Sequence, residues 1–218
     1  MTALKWDTIG ERYYETGVQK AVLYPASSTG TYPKGVAWNG ITAFTEKPTG
    51  ADETKLYADN IKYLGLRAVE EFEATIEAYT YPDEFAECDG SAELTAGVSI
   101  GQQPRKTFGL CTRTEFGNDT DGTNHGYKLH LIWGATASPS ERAYETINDS
   151  PDAIKFSWDI STTPVEVEGY SNTASMVIDS TKCDKAKLAL LEKQLYGDAD
   201  TEPNLPMPDE ILTIMKTQ

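Results

Sequence analysis

Residues 126–141 read GYKLHLIWGATASPSE, and residues 148–152, NDSPD, lead into residues 153–165, AIKFSWDISTTPV. Both outer runs are rich in the β-branched and aromatic residues that favour strands, whereas the residues between them favour turns. This stretch therefore predicts two long β-strands joined by an elaborate polar connection.

The sequence on either side of this stretch continues the pattern. Further strands are predicted at 21–24, 36–45, 107–116 and 174–179, with a turn at 117–122, GNDTDG. Many strands without regularly alternating helices are typical of a sandwich or barrel and not of a parallel α/β sheet. The fold class expected is mainly β, an antiparallel β-sandwich or barrel.

Two earlier segments, 32–40 (YPKGVAWNG) and 76–88 (IEAYTYPDEFAEC), occur in the same order relative to 126–165 as in a known family. Together, these segments resemble the major tail proteins of tailed bacteriophages, and the resemblance covers essentially the whole chain. It implies a tail-tube type of β fold, self-association into stacked rings that are hexameric, and a channel for DNA ejection. It also implies other tail proteins as partners (tape measure, terminator, and baseplate or distal tail proteins) and a place in the virion tail.

The segment 70–79 fits two periodicities. Val69, Phe72, Ile76 and Tyr79 fit a helical stripe, but from Glu71 to Ala78 acidic or polar residues alternate without a break with apolar ones. We predict a strand, because Pro82 leaves a helix little room and the family resemblance implies an antiparallel β fold. A strand places three carboxylates on one face. With two further acids they form our predicted lumen-lining set: Glu71, Glu73, Glu77, Glu166 and Glu168. A solvated outer strand explains the same pattern.

Two helices have clear signals. Thr181 and Asp184 form a T-x-x-D start before Leu188, Leu191 and Leu195, which share one face, and Gly197 is a typical stop. This helix is expected to flank the sheet. A short C-terminal helix is predicted from Pro208, with acids in its first turn and Lys216 in its last. A third short helix is predicted to begin at 138–141, SPSE.

The acidic composition limits the classes of partner. The 218 residues include 34 acidic and 19 basic ones, a net charge of −15. Because nucleic-acid affinity depends on Lys and Arg displacing counterions, specific DNA binding is not expected, although DNA can pass through a channel of like charge. Residues 1–10 contain no apolar signal region, and no run approaches the roughly 18 apolar residues of a membrane span. We expect assembly in the host cytoplasm, without a membrane partner.

No catalytic, cofactor or metal site is predicted. His125 and His130 are five residues apart, which on one strand places them on opposite faces. Asp119 starts a sequence like a calcium loop, but the twelfth position is His130 where a Glu is required. No phosphate-binding or nucleophile-elbow motif is present. Cys88, Cys111 and Cys183 are widely spaced, as expected of reduced and mostly buried thiols. We expect a protein that is not an enzyme.

We predict one domain, 1–218, with three segments that contact neighbouring copies and are mobile in the free subunit. These segments are an N-terminal arm (1–20), a projecting loop (about 45–60) and a Pro-rich C-terminal extension (198–218). The alternative function is a soluble β-sandwich binding module for carbohydrate or adhesion. In that case exposed Trp38, Trp133 or Trp158 and the Tyr residues would form a stacking platform.

Overall fold

The computed structural model describes residues 3–140, 142–144, 146–147 and 152–216. Their strands and helices alternate too little for an α/β fold, and every strand pair is antiparallel, so the predicted fold class is confirmed. The strands are β1 (Tyr13–Pro25), β2 (Val36–Trp38), β3 (Ile41–Glu46), β4 (Thr49–Gly50), β5 (Glu53–Ala58), β6 (Ile61–Arg67), β7 (Glu70–Glu71), β8 (Glu73–Ala78), β9 (Ala92–Thr95), β10 (Val98–Ile100), β11 (Phe108–Asn118), β12 (Gly122–Pro139), β13 (Phe156–Thr162) and β14 (Ser175–Asp179). The helices are α1 (Ala86–Asp89), α2 (Lys185–Tyr196) and α3 (Pro208–Lys216).

One eight-stranded sheet organises the molecule. Its strand order is β2-β1-β11-β12-β13-β8-β3, and β14 pairs with β12 outside this path. The long strands predicted within 126–165 are β12 and β13, which pair antiparallel from Ala135↔Thr162 to Pro139↔Trp158. The sheet has an inner core around Trp158, Phe85 and Ile76, and an outer core on its other face around Trp133.

Strand β12 changes its facing at Gly134. Leu131 and Trp133 lie in the outer core, Ile132 in the inner core, and after Gly134 it is Ala135 that lies in the inner core. The alternation therefore shifts by one residue, as at a β-bulge. Gly134 has φ 62, and a Cβ there would lie 2.2 Å from the carbonyl oxygen of Thr163. Only glycine fits this crossing point.

Helix α2 covers part of the outer face, as predicted. Its Leu188, Leu191 and Leu195 are buried in the outer core. The helix begins one turn later than the T-x-x-D pattern suggested, because Asp184 is the N-cap and accepts hydrogen bonds from the Ala186 and Lys187 amides. Helix α3 packs beside it and buries Ile211.

The 45–60 segment is not a loop but the first half of a β-hairpin. Strands β5 and β6 pair only with each other in a separate two-stranded sheet. Asp59 and Asn60, with φ 50 and 62, form the two-residue turn that matches strand twist. We missed it because we read the polar residues as a loop and did not read Asp-Asn as a hairpin turn.

The N-terminal arm is shorter than 1–20, since β1 starts at Tyr13. Register shifts after Thr16 and after Gln19 break the period of two that would have identified this half of the strand.

The C-terminal extension packs on its own chain, although we predicted a segment that contacts neighbouring copies and is mobile in the free subunit. Leu205 is 3% exposed and forms a β-bridge with Tyr32. The Trp133 indole donates a hydrogen bond to the Pro206 carbonyl at 3.0 Å. An extended Pro-rich segment can lie along a sheet because its carbonyls remain free to accept. The helix predicted at 138–141 is also wrong, since 138 and 139 continue β12 and 140 is irregular; residue 141 lies outside the described residues.

Candidate functional site

The outer face of the sheet has a second half that neither α2 nor α3 covers. The strand registers align Ser161 with Glu73, Asp159 with Thr75, and Thr136 with Ser161, so these side chains share one face. We call it the bare face. It comprises Ala43 and Thr45 of β3, Glu73, Thr75 and Glu77 of β8, Thr136 and Ser138 of β12, and Ser157, Asp159 and Ser161 of β13.

Three carboxylates lie on the bare face. Glu73 and Glu77 are half-buried and Asp159 is exposed. The Thr75 hydroxyl donates a hydrogen bond to Asp159 Oδ1 at 2.9 Å, which ties β8 to β13. None of the ten positions is Lys or Arg, although Lys47 and Lys155 come directly after β3 and directly before β13. The side chains of this face are short and polar or acidic, whereas the side chains of a buried core are mostly large and apolar.

The predicted lumen-lining residues fall into three places. Glu73 and Glu77 lie together on the bare face. Glu71 is on β7, which leaves the main sheet and pairs with β4. Glu166 and Glu168 are exposed after β13, where the Glu168 amide donates to Asp209 of α3 at 3.1 Å. The structure therefore brings two of the five together, and the lumen assignment itself stays a prediction.

Asp159 is the acid that we missed. Its signal was visible, because Phe156, Trp158 and Ile160 alternate with Ser157, Asp159 and Ser161. We predicted this strand but did not ask which β8 residues its polar positions would meet. The register that joins Asp159 to Thr75 spans 84 positions along the chain, and it follows from tertiary pairing alone.

The group of four strands that carries the bare face has an unpaired edge on each side. Among the described residues, β3 pairs only with β8. At the other side, β11 pairs with β12 only as far as Ala135, and no strand of the described ranges pairs with that side of 136–139. The two edges differ in sequence and lie on opposite sides of the face. Unpaired edges are sites at which another chain can add its own strand.

His125, the 117–122 turn and the buried cysteines have structural roles. His125 contacts Asp121 at 3.3 Å and stacks near Tyr13, while Asn118 closes the 117–122 turn by accepting from the Thr120 and Asp121 amides. Burial raises the pKa of Cys88 and of Cys111 to about 12, so neither is a ready nucleophile at neutral pH. Within the described ranges, no three His, Cys, Asp or Glu side chains are arranged to hold a metal ion. The helices of these ranges are all too short or too polar to span a membrane.

The tryptophans predicted for the aromatic platform of the alternative function are not exposed. Trp38 is 3% exposed, and Trp133 and Trp158 are fully buried. Trp38 donates to the Thr80 carbonyl, and Trp158 packs against Phe85 with ring centroids 5.1 Å apart. Large aromatics on strands supply core area, and these three cannot stack on a ligand.

No protein-family model and no curated protein matches the chain. Among solved structures it is similar to a chain of the cryo-EM structure of the anti-feeding prophage (AFP) baseplate. That match has 8% identity and a TM-score of 0.36, and it covers 82% of this chain and 99% of that one. It is also similar to a chain of the PVC sheath-tube complex, an extracellular contractile injection system in its extended state. There the identity is 10% and the TM-score 0.30, with 73% of this chain and 88% of that chain covered. Both TM-scores are low, and neither likeness carries a functional argument for this chain.

Proposed function

We propose that this protein is the structural subunit of a bacteriophage tail tube, in which stacked rings form the channel for DNA ejection. The observation that carries the proposal is the bare face, a polar and acidic sheet surface bounded by two unlike free edges. The sequence resemblance supplies the identity of the assembly. The role requires no catalysis, cofactor or metal, and we propose no enzymatic activity.

The two free edges supply a way to close a ring. When the β3 edge of one copy pairs with the 136–139 edge of the next, the contact is heterologous, and such contacts close into rings if the rotation permits. Six copies, the number that the resemblance implies, would bring roughly 24 strands into one wall. β-Barrels of 16 or more strands leave an aqueous channel. The bare faces would then line the lumen.

The charge of the bare face suits the passage of DNA. Charges act strongly on a polyanion only within a Debye length, about 8 Å in physiological salt. Glu73, Glu77 and Asp159 would stand at that distance in every copy, so DNA would not adhere to the wall. Affinity for DNA needs displaced counterions, and carboxylates displace none.

Stacking of rings needs a second contact, for which the β5–β6 hairpin is the candidate. Its register pairs Leu56 with Leu64 and Thr54 with Leu66, which places three exposed leucines on one face. A two-stranded hairpin alone in water is marginally stable, so an apolar partner surface would hold it. The exposed Leu4 and Trp6 of the arm are a further contact. The other tail proteins would meet the ends of the tube in the virion.

Electron microscopy of concentrated purified protein tests the proposal. We expect rings or tubes with a central channel. Ser138→Lys on the β12 edge should abolish rings while the monomer stays folded, and Ser99→Lys on the exposed strand β10 is the matched control. Replacing residues 52–68 by two glycines should leave rings that do not stack. Rings formed by the Ser138→Lys variant, under conditions in which the control polymerises, would overturn the proposal for the edge. Single particles of the unaltered protein at every concentration would overturn it altogether.

A further inference from the structure

His130 of β12 lies between carboxylates of two other strands. Its Nε2 is 3.1 Å from Glu15 Oε1 on β1, and its Nδ1 is 3.6 Å from Glu46 Oε1, the last residue of β3. The imidazole is well buried, with 15% of its side chain exposed. Strands β1 and β3 are not paired with each other, so this histidine is a bridge between two separate parts of the sheet.

The hydrogen bonds around His130 determine which ring nitrogen carries the proton of the neutral imidazole. The Thr114 hydroxyl donates to Glu15 at 2.6 Å, and the same hydroxyl lies 2.9 Å from His130 Nε2. Because Thr114 uses its proton on Glu15, Nε2 must be the nitrogen that donates in the neutral imidazole. Nδ1 then keeps its lone pair with the Glu46 carboxylate 3.6 Å away, and this buried atom has no hydrogen-bond partner among the described residues. Two acceptors facing each other repel, and a proton on Nδ1 turns the repulsion into a charge-assisted hydrogen bond.

We propose that His130 is a proton-dependent clamp which, when doubly protonated, fastens the end of β3 to β1 through Glu46 and Glu15. The neutral form keeps the link to Glu15 and loses the link to Glu46. The clamp is intramolecular and does not depend on the assembly proposed above.

The other charged groups near His130 leave this balance in place. Lys128, on the same strand, is paired with Glu15. Burial acts to raise the pKa of Glu15, but the hydrogen bonds from Lys128 and Thr114 and the charges of Lys128 and His130 hold it below its usual value. Asp179 of β14 is opposite Lys128 and bonds to Thr181 and Lys182. From β11, Thr112 and Thr114 are neutral. Glu46 is therefore the one described carboxylate beside Nδ1.

The clamp acts at the end of β3, where the chain enters the projecting β5–β6 hairpin. Glu46 ends β3, and the β4–β7 ladder and the β5–β6 hairpin follow it directly. The doubly protonated imidazole can bond to Glu15 and Glu46 at once, so the contact between β1 and β3 through His130 depends on the second proton. With a neutral imidazole, the end of β3 loses the side-chain contact at Glu46 and keeps its backbone pairing with β8 and the packing of Phe44 on the inner core.

NMR of the imidazole during a pH titration tests the clamp. The chain has two histidines, so His125→Gln leaves His130 as the single reporter. In that background Glu46→Gln should lower the titration midpoint, because an opposite charge beside the imidazole is lost. Asp52→Asn, an equal loss of charge in the exposed segment after β4, is the control and should leave the midpoint where it was. An equal midpoint with and without Glu46 would overturn the proposal.

Amide hydrogen exchange tests separately whether protonation of His130 stabilises β3. A change in the NMR midpoint of His130 would not by itself alter the exchange rates. Protection factors for residues 41–47 should be several-fold higher at pH 5.5 than at pH 8, and Glu46→Gln should remove the difference. Protection that is independent of pH in the unaltered protein would count against a clamp even if the midpoint shifted.

Discussion

Strand β12 carries two opposite kinds of surface on the same side of one sheet. Before Gly134 its outer residues are Leu129, Leu131 and Trp133, all fully buried beneath the helical layer and the C-terminal extension. After Gly134 its outer residues are Thr136 and Ser138, which begin the bare face. Covered and uncovered halves thus differ in chemistry and not only in exposure. The chain folds by covering the first half and leaves the second half uncovered, where the proposed assembly would use it.

The largest contrast between the halves is expected in stability, at Leu191 of α2. Leu191→Ala should lower the free energy of unfolding by about 2–5 kcal/mol, because the side chain is fully buried in the outer core. Its neighbour Leu190 is 60% exposed and is the matched control, for which a change within about 0.5 kcal/mol is expected. Urea denaturation measures both. Equal losses would mean that α2 does not cover the sheet as described.

The crossing point between the halves is tested by Gly134→Ala. The substitution combines a positive φ with a Cβ that meets the Thr163 backbone, so a loss of roughly 2 kcal/mol or more is expected. Gly169 has a similar φ of 77 with no atom within 4 Å of a Cβ. Gly169→Ala should therefore cost only the backbone term, about 1–2 kcal/mol. If thermal or chemical unfolding ranks Gly169→Ala as the more costly change, the close approach at Gly134 is wrong.

Substitution of two buried tryptophans compares the outer core with the inner core in their contribution to stability. Trp133, in the outer core, donates to the Pro206 carbonyl, whereas the Trp158 indole nitrogen of the inner core has no partner. Both lose similar volume on substitution by Phe. Trp133→Phe should cost about 1–2 kcal/mol more, because it leaves a buried carbonyl without its donor. A smaller cost for Trp133→Phe than for Trp158→Phe in denaturant titrations would argue against anchoring of the C-terminal extension.

The smallest stability effect, and the most direct test of function, is expected on the bare face. Lysines in place of Glu73, Glu77 and Asp159 should change unfolding free energy by about 1 kcal/mol or less, as surface changes usually do. Assembled tubes of this variant should gain salt-sensitive binding of short DNA duplexes, measured by fluorescence anisotropy. Lysines at Glu166 and Glu168 are the comparison. If that pair and not the first set binds DNA, the lumen lies elsewhere.

Periodicity in the sequence was sufficient to locate a strand or helix wherever one side of that element is buried and the other is not. It located β8, β12, β13 and both long helices, and it identified Leu188, Leu191 and Leu195 as the face of α2 that packs on the sheet. It failed where the chain pairs without burying a side, as in the β5–β6 hairpin, and where bulges interrupt the alternation, as in β1. There the backbone geometry determines the strand, and the side-chain pattern is too weak or too broken to reveal it.

Periodicity likewise predicted only part of the candidate site. Glu73 and Glu77 could be placed on one face of a strand, but their neighbour Asp159 could not be assigned to them. Glu166 and Glu168 are acidic and close in sequence to β13, but they lie outside the bare face, and the Glu168 amide donates to Asp209 of α3. Charge and proximity along the chain carry no information about register.

By itself, the sequence determined the mainly β class, the two packed helices and a net negative charge unsuited to binding DNA. These follow from composition and local periodicity, which act over one turn or a few residues. Tertiary structure alone decided which strands are neighbours, that the Pro-rich extension covers Trp133, and that one half of the outer face stays bare. Those outcomes depend on hydrogen-bond register and close approach between residues tens of positions apart, such as Gly134 and Thr163, and no local pattern encodes them.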